Sequence, residues 1–132
     1  MKRECLNCGN PGMTRGKLDV AIRHDGLGDI VRDVRGWHCP SCLEVEFAAG
    51  EGERYATALD SLRVRAQERD AKQLARVRKQ LKLTQQDAAR LTGGGKNAFS
   101  RYERGQAKPM PAVVNLFRLL EKHPDLLAEL QE

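Results

Sequence analysis

Hydrophobic and polar residues change their spacing twice along this chain of 132 residues. In 17–23 the apolar residues Leu18, Val20 and Ile22 alternate with polar ones, and in 29–37 Ile30 and Val34 fall on one face. A period of two marks half-buried strands, and the intervening His24-Asp25-Gly26-Leu27-Gly28 reads as a turn, so the pair predicts a β-hairpin. After Gly52 the texture changes. Residues 53–92 contain neither Gly nor Pro, and Tyr55, Leu59, Leu62 and Ala66 recur at helical spacing. The stripe breaks at Arg69, Asp70 and Gln73, where apolar residues are due, and resumes at Leu74, Val77 and Leu81. A domain boundary is expected at 67–72, with either a bend or one continuous helix there.

Beyond the break the pattern predicts four or five helices. The first covers 74–83. Thr84 caps the second, Gln85–Leu91, with Asp87 completing a short version of the capping box. That helix buries Ala88 and Leu91, and Ala89 permits close approach. Gly93, Gly94 and Gly95 break it; a third helix, 97–103, stops at Gly105. Pro111 suits the first turn of a fourth, Pro111–Lys122, and Pro124 opens a last one with Leu126, Leu127 and Leu130.

The chain is long enough for one ordinary domain or two small ones. Each half, at roughly 65 residues, lies near the lower limit at which a hydrophobic core suffices, so one of them is expected to use a metal or a partner. The opening Met1-Lys2-Arg3-Glu4-Cys5 has no continuous apolar run, and nothing approaches a membrane span of about 20 apolar residues, so a cytoplasmic protein without membrane contact is expected. The formal charge of +5 is uneven: 1–68 holds 10 Lys+Arg and 11 Asp+Glu, while 69–132 holds 13 and 7. The basic excess of the second half points to a polyanionic partner; a merely well-solvated surface is the plainer alternative.

Cysteines occur only as Cys5-x2-Cys8 and Cys39-x2-Cys42. Each Cys-x2-Cys turn brings two thiolates onto one metal, and a second pair across a hairpin closes a tetrahedral site. Gly9 and Pro40 both suit tight turns. One structural zinc is the first reading, with disulfides, a thiol redox pair or iron as alternatives; four thiolates leave no open coordination position for catalysis. A redox pair needs a βαβ context, which is absent. His38 can substitute as a ligand beside Cys39, but is expected to be a surface neighbour, as are His24 and His123. Trp37 is expected to pack rather than to recognise. The expected architecture is a small α+β zinc-binding N-terminal domain, 1–68, with a β-hairpin, followed by an all-α five-helix domain, 69–132, of helix-turn-helix type.

On the second helix of that motif, at about 100° per residue, Asn97, Ser100, Arg101 and Arg104 fall within an arc of about 100°, with Phe99 and Tyr102 turned into the core. Asn bonds bidentately to adenine and Arg to guanine in the major groove. Asn97 and Arg101, one turn apart, are the candidate base-reading pair. Lys96 at the helix start, Ser100 and Arg104 on the same face, and Thr84 and Gln85 at the start of the preceding helix are candidate backbone contacts. Taken singly, Asn97 reads as a helix cap and Arg101 as a solvated charge; in a basic helix-turn-helix, DNA contact is the favoured reading.

These residues resemble the MqsA antitoxins of type II toxin–antitoxin systems. The resemblance is carried by Arg78-Lys79-x-Leu81-x-Leu83-Thr84-Gln85, by the run GGGKNAFSRYERG at 93–105, by Pro109-x-Pro111, Leu116 and Leu120, and by Lys122-His123-Pro124-x-Leu126-Leu127. The four cysteines resemble the YgiT-type zinc finger of that family. The resemblance implies an N-terminal domain that binds zinc and a ribonuclease toxin of RelE-like fold. It also implies an Xre/Cro-type C-terminal domain that dimerises on palindromic operator DNA and represses its own operon. The base-reading Asn and Arg of the family motif fall on Asn97 and Arg101. The hairpin and the helix at 53–66 carry little of the family's motif.

The residues agree on a dimer. In 111–122, Val113, Leu116, Phe117 and Leu120 make one face, and Val114 and Leu119 lie outside it, a surplus that predicts a two-fold homodimer through the C-terminal domain, unless both pack within one subunit. Half-sites about one DNA turn apart follow. Three functions compete: an antitoxin and autorepressor, a stand-alone zinc-containing transcription regulator without a toxin, and an enzyme or thiol redox protein. For the last there is no nucleophile, His and acid at a recognisable spacing, so no enzymatic activity is expected.

Overall fold

The computed structural model describes residues 2–131, which divide into two compact units, one ending at Val64 and one beginning at Arg65. The first unit is a three-stranded antiparallel sheet in the order β1-β2-β3, with β1 at Thr14–His24, β2 at Leu27–His38 and β3 at Val45–Phe47. Asp25 and Gly26 both have positive φ, 49° and 79°, so His24 and Leu27 close a two-residue turn whose twist suits a hairpin. The short β3 was not anticipated. Its closeness to β2 depends on Gly36, where φ is 154° and a Cβ would lie 2.2 Å from the Glu46 carbonyl oxygen.

The hairpin register departs from simple alternation. Leu18 pairs with Val34 and Val20 with Val31, so Asp19 faces two residues, Arg32 and Asp33. This β-bulge shifts the inward face by one position. Val31 and Val34 are therefore buried, and Ile30, expected beside Val34, is 48% exposed. Leu18, expected on the inward face with Val20 and Ile22, is also half-exposed, on the edge strand β1. Ile22, Val31, Val34 and Leu62 form the core, with Tyr55 and Ala58 packed against it. Leu62 is fully buried, and such burial stabilises by about 1.5–3 kcal/mol per large apolar side chain.

Helix α1 runs Glu51–Gln80 without interruption, and the boundary between the units falls inside it. The sequence left a bend open; the helix continues because nothing from 53 to 80 breaks it. The missing apolar residues are filled by buried polar ones: Asp70 is 6% and Gln73 8% exposed, and Arg69 pairs with Asp70 at 3.0 Å. At its start, Glu51 is buried and accepts from Arg35 Nε at 3.0 Å and from Arg54. The Arg35 bond, opposed by burial and aided by Arg54, holds its carboxyl below the usual range.

The second unit contains the end of α1, then α2 at Gln85–Leu91, α3 at Ala98–Glu103, α4 at Pro111–Lys122, a 3-10 turn at Pro124–Leu126 and α5 at Leu127–Leu130. Three helices end in the same way. Lys82, Gly93 and Gly105 have φ of 59°, 74° and 73°. Each N–H bonds three residues back and the following N–H five back, as in Leu83 to Arg78, Gly94 to Ala89 and Gln106 to Arg101. The first helix of this half therefore ends at Gln80, not at 83. The core is Leu74, Val77, Ala88, Ala89, Phe99, Val113 and Phe117, with Tyr102 and Leu116 against it. The Phe99 ring packs tilted against Phe117 at 5.1 Å and edge-to-face against Tyr102 at 5.7 Å. Val114 is buried within its own chain, whereas Leu119 is 57% exposed. The apolar stripe of α4 is wider than expected because Val114 stands one turn before Phe117 on the same side. Leu126 and Leu130 are exposed.

Candidate metal centre and nucleic-acid interface

The two cysteine knuckles are built alike. Gly9 N–H donates to the Cys5 carbonyl and Cys5 N–H to the Asn10 carbonyl, both at 2.8 Å, while Cys39 N–H donates to the Glu44 carbonyl at 2.9 Å. Four residues after each leading cysteine the chain turns left-handed, at Gly9 with φ 77° and at Leu43 with φ 66°. Glycine takes that conformation freely; for Leu43 it costs about 1–2 kcal/mol. Asn10 ties the knuckles together, donating Nδ2 to Ser41 Oγ and accepting the Gly12 N–H at 2.7 Å.

All four sulfurs lie within 4.8 Å of one another, with Cys5–Cys42 at 3.6 Å and Cys8–Cys39 at 3.5 Å. A tetrahedral ion with metal–sulfur bonds of about 2.3 Å sets its sulfurs about 3.8 Å apart, so the donor set fits. Cys5 and Cys39 are buried against Met13, with Trp37 packed on the cluster and the Arg3 guanidinium 5.5 Å from the Trp37 ring centroid. The thiols titrate unlike one another. The Asn7 side chain, then the Glu44 N–H, lower Cys42 to about 6. The Cys42 N–H, against burial and with help from Ser41, lowers Cys39. For Cys8 the Asn10 N–H favours the thiolate, but Cys39, burial and the remaining sulfurs outweigh it and push the group up to about 12. Four sulfurs this close cannot all carry charge unaided; a bound cation removes the conflict.

His38 is not among the grouped ligands. It is 7% exposed, a buried residue rather than a surface neighbour, with Nε2 2.9 Å from the Val34 carbonyl oxygen. Its position on β2 turns the ring inward.

In the second unit the structure groups the polar residues of α2 and α3. Thr84 caps α2: its hydroxyl accepts the Asp87 N–H at 3.0 Å and its own N–H donates to the Asp87 carboxylate at 3.1 Å. The Thr84 N–H, then its hydroxyl and Arg90, hold Asp87 below the usual carboxylate range. Gln85 is half-buried and donates Nε2 to Glu103 Oε1 at 3.3 Å. Asn97 occupies the cap position of α3, so the helix begins at Ala98, yet its side chain makes no capping bond and is exposed. Lys96, Arg101 and Arg104 are exposed, Ser100 is half-buried, and Arg104 Nε donates to the Ser100 carbonyl at 3.3 Å. Phe99, between them in sequence, is fully buried. Sequence reasoning missed the partner of Gln85, Glu103, and the partner of Glu103, Arg78: Arg78 and Glu103 lie 25 residues apart and share no local pattern that pairs them.

One unit thus groups four close cysteines, and the other exposes the cations Lys96, Arg101 and Arg104 along and beside α3. Residues 1–131 match the family described as the antitoxin component of bacterial toxin-antitoxin system, MqsA. The chain is also 35% identical over 130 residues to Antitoxin MqsA of Escherichia coli (strain K12), spanning 97% of this chain and 99% of that protein. It therefore belongs to the MqsA antitoxin family, and that membership implies a toxin partner. Among the described residues, no helix is long and apolar enough to cross a membrane.

Proposed function

We propose that this antitoxin neutralises a ribonuclease toxin of RelE-like fold through residues 1–68. Residues 69–132 form a helix-turn-helix domain that dimerises, binds palindromic operator DNA and represses the protein's own operon. One zinc, held by Cys5, Cys8, Cys39 and Cys42, is structural: it organises the first unit and takes no part in chemistry. The protein is not an enzyme in this reading and acts in the cytoplasm.

The observation that carries the DNA reading is the divided surface of α3. Asn97 and Arg101 are exposed and the Asn97 carboxamide is not spent on a cap, while Phe99 between them is locked in the core. A carboxamide and a guanidinium held this way suit an adenine and a guanine edge. Ser100 on α3 with Lys96 and Arg104 flanking it, and the side chains of Thr84 and Gln85 at the start of α2, suit backbone phosphates. Exposed Leu119, Leu126 and Leu130 are the apolar surface available to a second copy.

Purified protein titrated onto the duplex upstream of its own gene, with and without the product of the neighbouring gene, tests the whole reading. Specific binding by a dimer and co-purification with a small ribonuclease are expected. Equal affinity for a scrambled duplex would remove the repressor role. DNA binding without any toxin partner would leave a stand-alone regulator.

A further inference from the structure

The second unit holds a largely buried ion pair that joins three elements. Arg78, close to the end of α1, donates Nε to Glu103 Oε2 at 2.8 Å and Nη2 to Oε1 at 2.9 Å. Its Nη1 donates to the Leu83 carbonyl at 2.9 Å, just before α2. Glu103, the last residue of α3, also accepts from Gln85, the first residue of α2. The two charged side chains are 12% and 10% exposed.

Burial of such a pair is weak evidence of net stability, because desolvation offsets much of the attraction. Its geometry has the clearer consequence. The paired bonds orient guanidinium and carboxylate in one fixed arrangement. Through Leu83 and Gln85 that arrangement ties the start of α2 to the end of α3. Gln85 has one Nε2 proton committed to Glu103 and a second left for a phosphate oxygen.

We infer that Arg78 and Glu103 are positioning residues for DNA recognition. They set the offset between the Gln85 carboxamide on α2 and the reading side chains of Asn97, at the cap of α3, and Arg101, within it, so that backbone and base contacts fall in one register. This rests on the DNA-binding reading above and adds to it two residues that touch no base.

Charge alone and positioning predict opposite signs. Glu103 is an acid in a basic half, so if only its charge mattered, Glu103→Gln would tighten binding to every duplex. As a positioning residue its loss weakens binding to the specific duplex alone. The test uses the full-length, zinc-loaded protein and two fluorescent duplexes: the fragment upstream of its own gene, and a scrambled duplex of equal length and composition. Glu103→Gln is expected to lower affinity for the upstream fragment about three- to tenfold, with affinity for the scrambled duplex unchanged or higher. Gln85→Ala should cost less in the Glu103→Gln background than in the wild type, since the two act together. Glu103→Asp keeps the charge opposite Arg78 but shortens the reach to Gln85, and should shift discrimination in the same direction should Glu103→Gln fail to fold. Folded variants with unchanged discrimination, equal losses on both duplexes, or additive Gln85 and Glu103 effects each overturn the inference. Wild-type protein that fails to discriminate overturns the DNA-binding reading itself, and this inference with it.

Discussion

The Asp33 backbone N–H donates to the Asp19 carboxylate at 2.9 Å across the hairpin, and Arg32 pairs with the same carboxylate at 3.1 Å. That side chain secures the bulge that turns Val31 and Val34 into the core. Asp33 itself sits at φ 53°, which Asp tolerates better than most residues.

Asp19→Ala is therefore expected to destabilise the first unit by about 1 kcal/mol. Trp37 is the only tryptophan and lies on β2, so urea unfolding followed by its fluorescence reads this unit. A midpoint equal to the wild type would show that the bulge holds without the carboxylate.

Gly36→Ala should do more harm than its size suggests. A Cβ there meets backbone, not a yielding side chain, 2.2 Å away at Glu46. Loss of β3 pairing is the expected result, seen as faster amide exchange at Ala48, whose N–H donates to the Arg35 carbonyl at 3.0 Å.

Removing the metal is expected to unfold residues 1–50 while 70–132 stay folded. Metal binding of this kind supplies roughly 10–16 kcal/mol in zinc-finger peptides, more than a small core offers. Chelation should abolish the Trp37 transition and leave most of the helical circular dichroism. A helical half that melts together with the sheet would refute the two-domain division.

On the DNA side, Asn97→Ala and Arg101→Ala should each cost roughly 1–3 kcal/mol on the matched base pair and relax specificity there. Lys96→Ala should weaken all duplexes alike and lower the salt slope by about 1. Binding curves on single-base operator variants separate the two patterns; unchanged discrimination in the Asn97 and Arg101 variants would take both out of base reading.

Acid should loosen the start of α2. Asp87 is held below its ordinary value of 3.8 by the Thr84 N–H, the Thr84 hydroxyl and Arg90. A depressed carboxylate contributes stability above its unfolded value, and that contribution disappears as pH falls through the lower folded one. Amide exchange near Asp87 should rise as pH drops below about 4 by more than in Thr84→Ala, a variant expected to lose about 1 kcal/mol of capping at neutral pH.

Much of this chain was legible because it is local. Hairpin, capping box, glycine stops and the bounds of α2 and α4 depend on residues within about one turn of each other, and steric preference acts at that range. The two Cys-x2-Cys pairs were legible because thiolates at that spacing have few uses. Ile30 was misplaced because a one-residue bulge reverses every later side chain, and its cause, Asp19, sits on the other strand. His38 and Val114 were misplaced because burial depends on what packs from elsewhere, which neighbours in sequence do not report.

Residue order alone indicated the hairpin, α2 and α4, the charge division, the two cysteine pairs and the split of α3 between Phe99 and its polar neighbours, since each follows from spacing and side-chain chemistry. Tertiary structure decided that Asp70 and Gln73 are buried along α1, that Asn97 leaves its carboxamide out of capping, and that Arg78 locks onto Glu103. Those outcomes turn on which distant groups meet in space, where desolvation and packing, not local propensity, set the energy.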